Sequence, residues 1–174
     1  MQKGSVRVSD LVVDALFKKY GLPSDTPIAV SGGSMGGHGC IMYASKSRYR
    51  ENICAIAAAC PCFDMTDGMF TKDVLPRSYV LGVADQNCSL EEGLKNNSPI
   101  YQVDKLHDAP YYIACDGADE LFDAGRMEEF AGMLSARGID VTFRLMEGLT
   151  HGAFTPEVRD GMTRFVIEKC LEKG

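Results

Sequence analysis

Along the 174 residues, short apolar runs alternate with segments whose apolar positions recur every three or four residues. The first such segment carries Val8, Leu11, Val12, Ala15, Leu16 and Tyr20, and Gly21 and Pro23 end it. It predicts one amphipathic helix. Ile28-Ala29-Val30-Ser31 then reads as a short strand, and Ile53 to Ala59 is an unbroken run of small apolar residues. A strand apolar at every position is one covered on both faces, as parallel strands between helices are. Tyr111-Tyr112-Ile113-Ala114-Cys115 and Val141 to Met146 predict two more strands. Ala124, Met127, Phe130, Ala131 and Leu134 form one face of a helix closed by Gly138, and Met162, Phe165, Val166 and Cys170 mark a last helix after Pro156. The pattern predicts a single α/β domain over residues 1–174, a mostly parallel sheet with flanking helices. It breaks between Pro61 and Pro99, where Phe63, Met65, Met69, Phe70, Leu75, Tyr79, Val80 and Leu81 are scattered among polar residues. Residues 61–98 are expected to form a cap-like insertion over the finishing ends of the strands, where loops line the site in this architecture. An ordinary surface excursion is the alternative.

Ser31-Gly32-Gly33-Ser34-Met35-Gly36-Gly37-His38-Gly39 joins the first strand to a segment able to start a helix. Gly-x-Ser-x-Gly in that setting is the pattern of a nucleophile elbow, a turn so tight that its serine adopts strained backbone geometry. Gly32 and Gly36 are expected to leave room for the crossing chain. The turn lifts the Ser34 hydroxyl above the strand ends and aims the Met35 N–H where an oxyanion would form. A glycine-rich phosphate loop is the competing reading.

A serine needs a base, and the base an acid to orient it. Three histidines are available. His38 lies one turn into the helix after the elbow and is expected to pack or cap. His107 precedes a strand, whereas the chemistry of a parallel sheet gathers where strands finish. His151 follows the fourth strand through Glu147-Gly148-Leu149-Thr150 and is the expected base. Among the acids after the third strand, Asp119 is far enough along its loop to reach that histidine. Asp116 is expected to brace the turn, and Glu120 to start the next helix, where its charge suits the dipole. Asp64 is a third candidate. Ser34, Asp119 and His151 stand in the chain order of an α/β-hydrolase triad.

On Gly-Gly-Ser-Met-Gly-Gly-His-Gly, on Ser98-Pro99-Ile100 and Ala109-Pro110, and on Ala118-Asp119-Glu120-Leu121, the chain resembles the carboxy-terminal part of a serine α/β-hydrolase. The elbow is similar to those of the esterase D and S-formylglutathione hydrolase-like esterases, and its core also to prolyl-oligopeptidase-type peptidases. The resemblance implies a truncated α/β-hydrolase fold without the amino-terminal strands, since one helix is predicted where such enzymes carry several strands. It also implies that the loop supplying the second oxyanion N–H is missing, a loss of about 10²–10³ in turnover. The implied activity is carboxylester hydrolysis on a small soluble ester. A prolyl-oligopeptidase-type peptidase and an inactive remnant acting as a binding or assembly module are the alternatives.

The formal net charge of −6 argues against nucleic acid and anionic membranes as partners. No basic start followed by an apolar core and no 18-residue apolar run occurs, so neither a signal peptide nor a spanning helix is expected and the default location is cytoplasmic. Seven cysteines, several in apolar runs, read as reduced structural thiols. Cys60-Pro61-Cys62 lacks the second pair or histidine of a zinc set, so no metal and no cofactor are expected. With no preceding strand to pair it, the elbow strand is expected to be an open apolar edge, a liability that a homodimer burying residues 27–31 and part of the first helix would remove.

Overall fold

The computed structural model of the protein describes residues 3–67 and 88–174, and its sheet is held between two unequal helical layers. Strands β1 (Ile28–Gly33), β2 (Ile53–Ala59), β3 (Tyr111–Asp116) and β4 (Val141–Met146) run parallel in the order β1-β2-β3-β4. β2 and β3 are buried at every position, whereas β1 and β4 are the half-exposed edges. The chain also forms helices α1 (Lys3–Tyr20), α2 (Met35–Lys46), α3 (Leu90–Asn97), α4 (Ala124–Ala136) and α5 (Pro156–Lys173).

Alternation along the strands divides the core. Ile56, Ala58, Tyr111, Ile113 and Cys115 point to one side, where Ile41 and Met42 of α2 and Met127, Phe130 and Leu134 of α4 meet them. Ala55, Ala57, Ala59, Tyr112 and Ala114 point to the other, against Val158 and Phe165 of α5. The small alanines of β2 let α5 lie close to the sheet. Asp123 caps α4 by accepting from Arg126 N, and Thr155 caps α5 by accepting from Val158 N.

The amphipathic first helix forms, and the apolar stripe of Val8, Leu11, Val12, Leu16 and Tyr20 faces solvent, Val8 and Tyr20 each at 62% exposure. α1 is held instead by its other side. Val6 is buried, Phe17 packs on Tyr49 with ring centroids 5.4 Å apart, and the buried Asp10 accepts from Ser47 Oγ at 2.6 Å. Asp14 accepts from the Tyr49 hydroxyl and pairs with Arg48. Of the predicted cap at 61–98, residues 68–87 lie outside the described residues. Its two ends belong to the main core: Phe63 and Met65 are fully buried, and Leu94 joins them. Phe63 packs between Phe122 and Phe130 at centroid distances of 6.2 and 5.9 Å.

Phe63→Ala removes the ring that joins the end of β2 to α4. Chemical denaturation is expected to show a loss of about 3–5 kcal/mol. A loss under 1 kcal/mol would mean that Phe63 is a surface residue of the cap.

Candidate active site

The turn from β1 into α2 is made at a single residue. Ser34 has φ 51° and ψ −121°, in the left-handed half of the map that side chains avoid. Its backbone is tied down on both sides. Ser34 N–H donates to Ala59 O at 2.8 Å, and its carbonyl accepts from His38 N–H at 3.1 Å and Cys62 N–H at 3.2 Å. A Cβ on Gly32 would lie 2.6 Å from the Gly36 carbonyl carbon, so the first turn of α2 sits directly on β1 only because residue 32 has none. Gly36 itself has open space where a Cβ would go; the helix meets the crossing chain at Gly37, against Pro61. Met35 is the first residue of α2, where a backbone N–H has no acceptor within the helix.

His151 arrives on the loop after β4 and Asp119 on the loop after β3. Ser34 Oγ lies 2.8 Å from His151 Nε2, and His151 Nδ1 lies 2.8 Å from Asp119 Oδ2. Donation of Nδ1–H to the carboxylate leaves Nε2 free to accept the serine proton. The Asp119 side chain is fully buried, and its other oxygen accepts the N–H groups of Leu121 at 2.8 Å and Phe122 at 3.0 Å. Three hydrogen bonds therefore fix the carboxylate. The Phe122 ring stands edge-on to the imidazole at 5.4 Å.

The other candidates lie elsewhere. His38 is buried, with Nε2 2.8 Å from Asn97 O, and burial pulls its pKa down to about 4. His107 accepts from Ala109 N–H at Nδ1 and donates from Nε2 to Arg50 O at 2.7 Å, so both ring nitrogens serve the backbone. Asp64 is buried and receives Arg126 Nη2 at 2.6 Å and the Thr66 hydroxyl at 2.6 Å.

Three further side chains support the base, in contacts the sequence did not indicate. Glu120 was expected to begin a helix, but α4 starts at Ala124 and Glu120 Oε2 accepts the backbone N–H of His151 at 3.0 Å. The buried Asp116 does brace a turn, yet not its own. It accepts the Ala153 N–H at 3.3 Å and the Cys60 thiol at 2.9 Å. Cys60 adopts φ 44° to reach it, and burial, with that hydrogen bond, pushes its thiol up to about 12. Cys60, Asp116 and Asp119 thus bring three ligand-type atoms within 4.8 Å of one another. A protonated thiol and carboxylates already occupied by donors make this set a brace rather than an open cation site. No sequence signal marks these contacts, which cross loops distant along the chain.

The comparisons agree with the fold. The sequence profile of the prolyl oligopeptidase family matches residues 1–168. The chain belongs to the prolyl oligopeptidase family. No curated protein sequence matches significantly. Among solved structures, this family member is similar to the Paleococcus ferrophilus monoacylglycerol lipase, at 14% identity over 97% of this chain and 76% of the lipase, with a TM-score of 0.61. It is also similar to Thermogutta terrifontis esterase 2 phosphonylated by sarin, at 18% identity over 84% of this chain and 57% of the esterase, TM-score 0.53. A Mycobacterium tuberculosis puromycin-hydrolyzing peptidase matches at 16% identity over 94% of this chain and 24% of the peptidase, TM-score 0.69. The chain thus spans about half of that esterase and a quarter of that peptidase. At these identities the likeness is one of fold, the parallel α/β sheet of the serine hydrolases.

Gly32→Ala tests the elbow of this prolyl oligopeptidase family chain. The added methyl meets backbone, which cannot step aside as a side chain can, and a loss of about 1–3 kcal/mol is expected in thermal or chemical unfolding. An unchanged midpoint would mean that α2 does not press on β1.

Proposed function

We propose that the chain is a serine acyl hydrolase, a carboxylesterase that takes small soluble esters through an acyl-enzyme. The observation that carries this reading is the line of 2.8 Å hydrogen bonds from Asp119 through His151 to a serine at a strained elbow. Ser34 Oγ attacks the ester carbonyl while His151 Nε2 takes its proton. Asp119 holds the imidazole through Nδ1 and stabilises the imidazolium that forms. The N–H of Met35 receives the oxyanion. His151 then gives its proton to the leaving alcohol, and activates the water that releases the acyl group. The lipase and esterase whose fold the chain shares support an ester as substrate. Family membership and the puromycin-hydrolyzing peptidase favour a second reading, a serine peptidase using the same three residues.

A fluorophosphonate probe tests the machinery, because the attacking oxygen displaces fluoride only if its proton has a base to go to. Labelling is expected in the wild type and in His107→Gln, and is lost in Ser34→Ala. His151→Ala abolishes nearly all turnover, and Asp119→Asn lowers kcat by about 10⁴. No labelling of the folded wild type would favour a catalytically inert module. Turnover of p-nitrophenyl butyrate without cleavage of proline-containing peptides supports the esterase, and the reverse supports the peptidase.

We also infer that the chain pairs with a second copy about a twofold axis through β1 and α1. β1 is an edge strand with neither lysine nor glutamate in it, the exposed Val12 of α1 shares a surface cleft with Val30 and Ser31, and Val8, Leu11, Leu16 and Tyr20 are exposed along the same helix. A twofold contact lets one such surface cover its own copy. Sedimentation at micromolar concentration is expected to give a particle of two chains, reduced to one by Leu11→Glu with Leu16→Glu. A wild-type monomer would overturn the pairing.

A further inference from the structure

Cys54, on β2, and Cys170, near the end of α5, are 116 positions apart in sequence, yet their sulfurs lie 2.8 Å apart. The contact depends on an irregularity in the sheet. Ile28 of β1 pairs with Ile53, but the next residue, Ala29, pairs with Ala55. Cys54 is therefore an extra residue, a bulge, and the alternation of β2 slips by one at this point. Ile53 faces the α2 and α4 side, and Cys54 and Ala55 both face α5. Without the bulge, Cys54 would share the side of Ile56 and Ala58. With it, the thiol reaches Cys170 and also lies 3.4 Å from Ile28 O.

The two thiols differ in access. Cys54 is buried, whereas Cys170 is partly exposed. Beside Cys54 opens a surface cleft of about 370 Å³, lined by Ile53, His107, Lys169 and Lys173 among others. The remaining buried thiols have no such arrangement. Cys60 is engaged with Asp116, and Cys62 and Cys115 lie in the core on the opposite side of the sheet from α5.

We propose that Cys54 and Cys170 form a dithiol that closes to an intrachain disulfide in the presence of a small disulfide such as oxidised glutathione. Cys170, the accessible partner, attacks one sulfur of the oxidant as its thiolate and expels one equivalent of small thiol. Cys54 then gives up its proton to solvent and attacks the Cys170 sulfur, and the second small thiol leaves. One disulfide and two protein thiols become one protein disulfide and two small thiols, and no other oxidant is needed. Burial, and then the hydrogen bond with Cys170, push the Cys54 thiol up to about 12, so the first attack falls to the more accessible Cys170 and the attack by Cys54 is the slower step.

The bond would staple α5 to the sheet. Among the described residues α5 is the helix that covers the second face, so this one bond fixes the far end of that cover. Cys54 stands five residues before the end of β2, roughly 16 Å along the strand from the serine, so closure leaves the active site untouched.

The test is to equilibrate the intact protein in glutathione buffers of increasing oxidised fraction, then map disulfides by mass spectrometry and measure the unfolding midpoint. The expected product has lost two hydrogens, links the peptides bearing Cys54 and Cys170, and melts roughly 5–15 °C higher. Cys170→Ser, which changes a partly exposed residue and keeps the fold, removes both the link and the rise. Stable glutathione on Cys170 with Cys54 free, a link between other cysteines, or a linked protein with an unchanged midpoint would each overturn the proposal. None of these readouts depends on ester turnover, so they stand apart from the test of Ser34.

Discussion

The contact of α2 with β1 at residue 32 is the constraint from which the candidate-site end of the molecule follows. Because a helix turn rests on the strand there, the chain has one residue in which to reverse from extended to helical backbone, and that residue takes the strain. A left-handed serine costs on the order of 1–3 kcal/mol. Three backbone hydrogen bonds offset it, one to the end of β2 and two from the chain on either side. The same bonds fix the height of Ser34 Oγ relative to the finishing ends of β2 and β3. A histidine from the next loops can then meet it at 2.8 Å. Loosening the helix from the strand would lower the serine and take that distance out of hydrogen-bond range.

The sheet is the part most legible in the sequence. Ile53–Ala59 and Tyr111–Cys115 are apolar at every position, a pattern that only a strand covered on both faces explains, and both are fully buried. Gly138 and Pro156 mark helix ends because their backbone requirements are local. Ser34 stood out for the same reason. Its environment is a local turn, and the partners were narrowed by asking which loops leave the finishing ends of strands. The apolar stripe of α1 was legible as a stripe, but periodicity says which residues share a face and not what that face meets. The anchoring side is written in Asp10, Asp14 and Phe17, which no periodicity singles out. Glu120, Asp116 and Cys60 were missed because each acts on a backbone or side-chain group at least 31 positions away. Nothing in the spacing of residues encodes such a contact. Phe63, at the start of the 61–98 segment, packs on Phe130 of α4, an element that begins some sixty residues later, and no spacing announces that contact.

The hydrogen bonds around His151 have a consequence for how the site can change. The loop after β3 grips the loop after β4 at three points: Asp119 on the imidazole, Glu120 on the His151 backbone and Asp116 on Ala153. A fourth tie runs from Ala118 N–H to Leu149 O. The two loops are therefore one mechanical body carried on the ends of two adjacent strands, whereas the serine belongs to a separate body, the elbow. Substitutions within the first body are felt jointly and their effects do not add, and a change at Ser34 couples to them through its 2.8 Å contact with His151. Seen this way, the site has two movable parts and not three. Any redesign of its specificity has one distance to preserve, the gap between imidazole and serine.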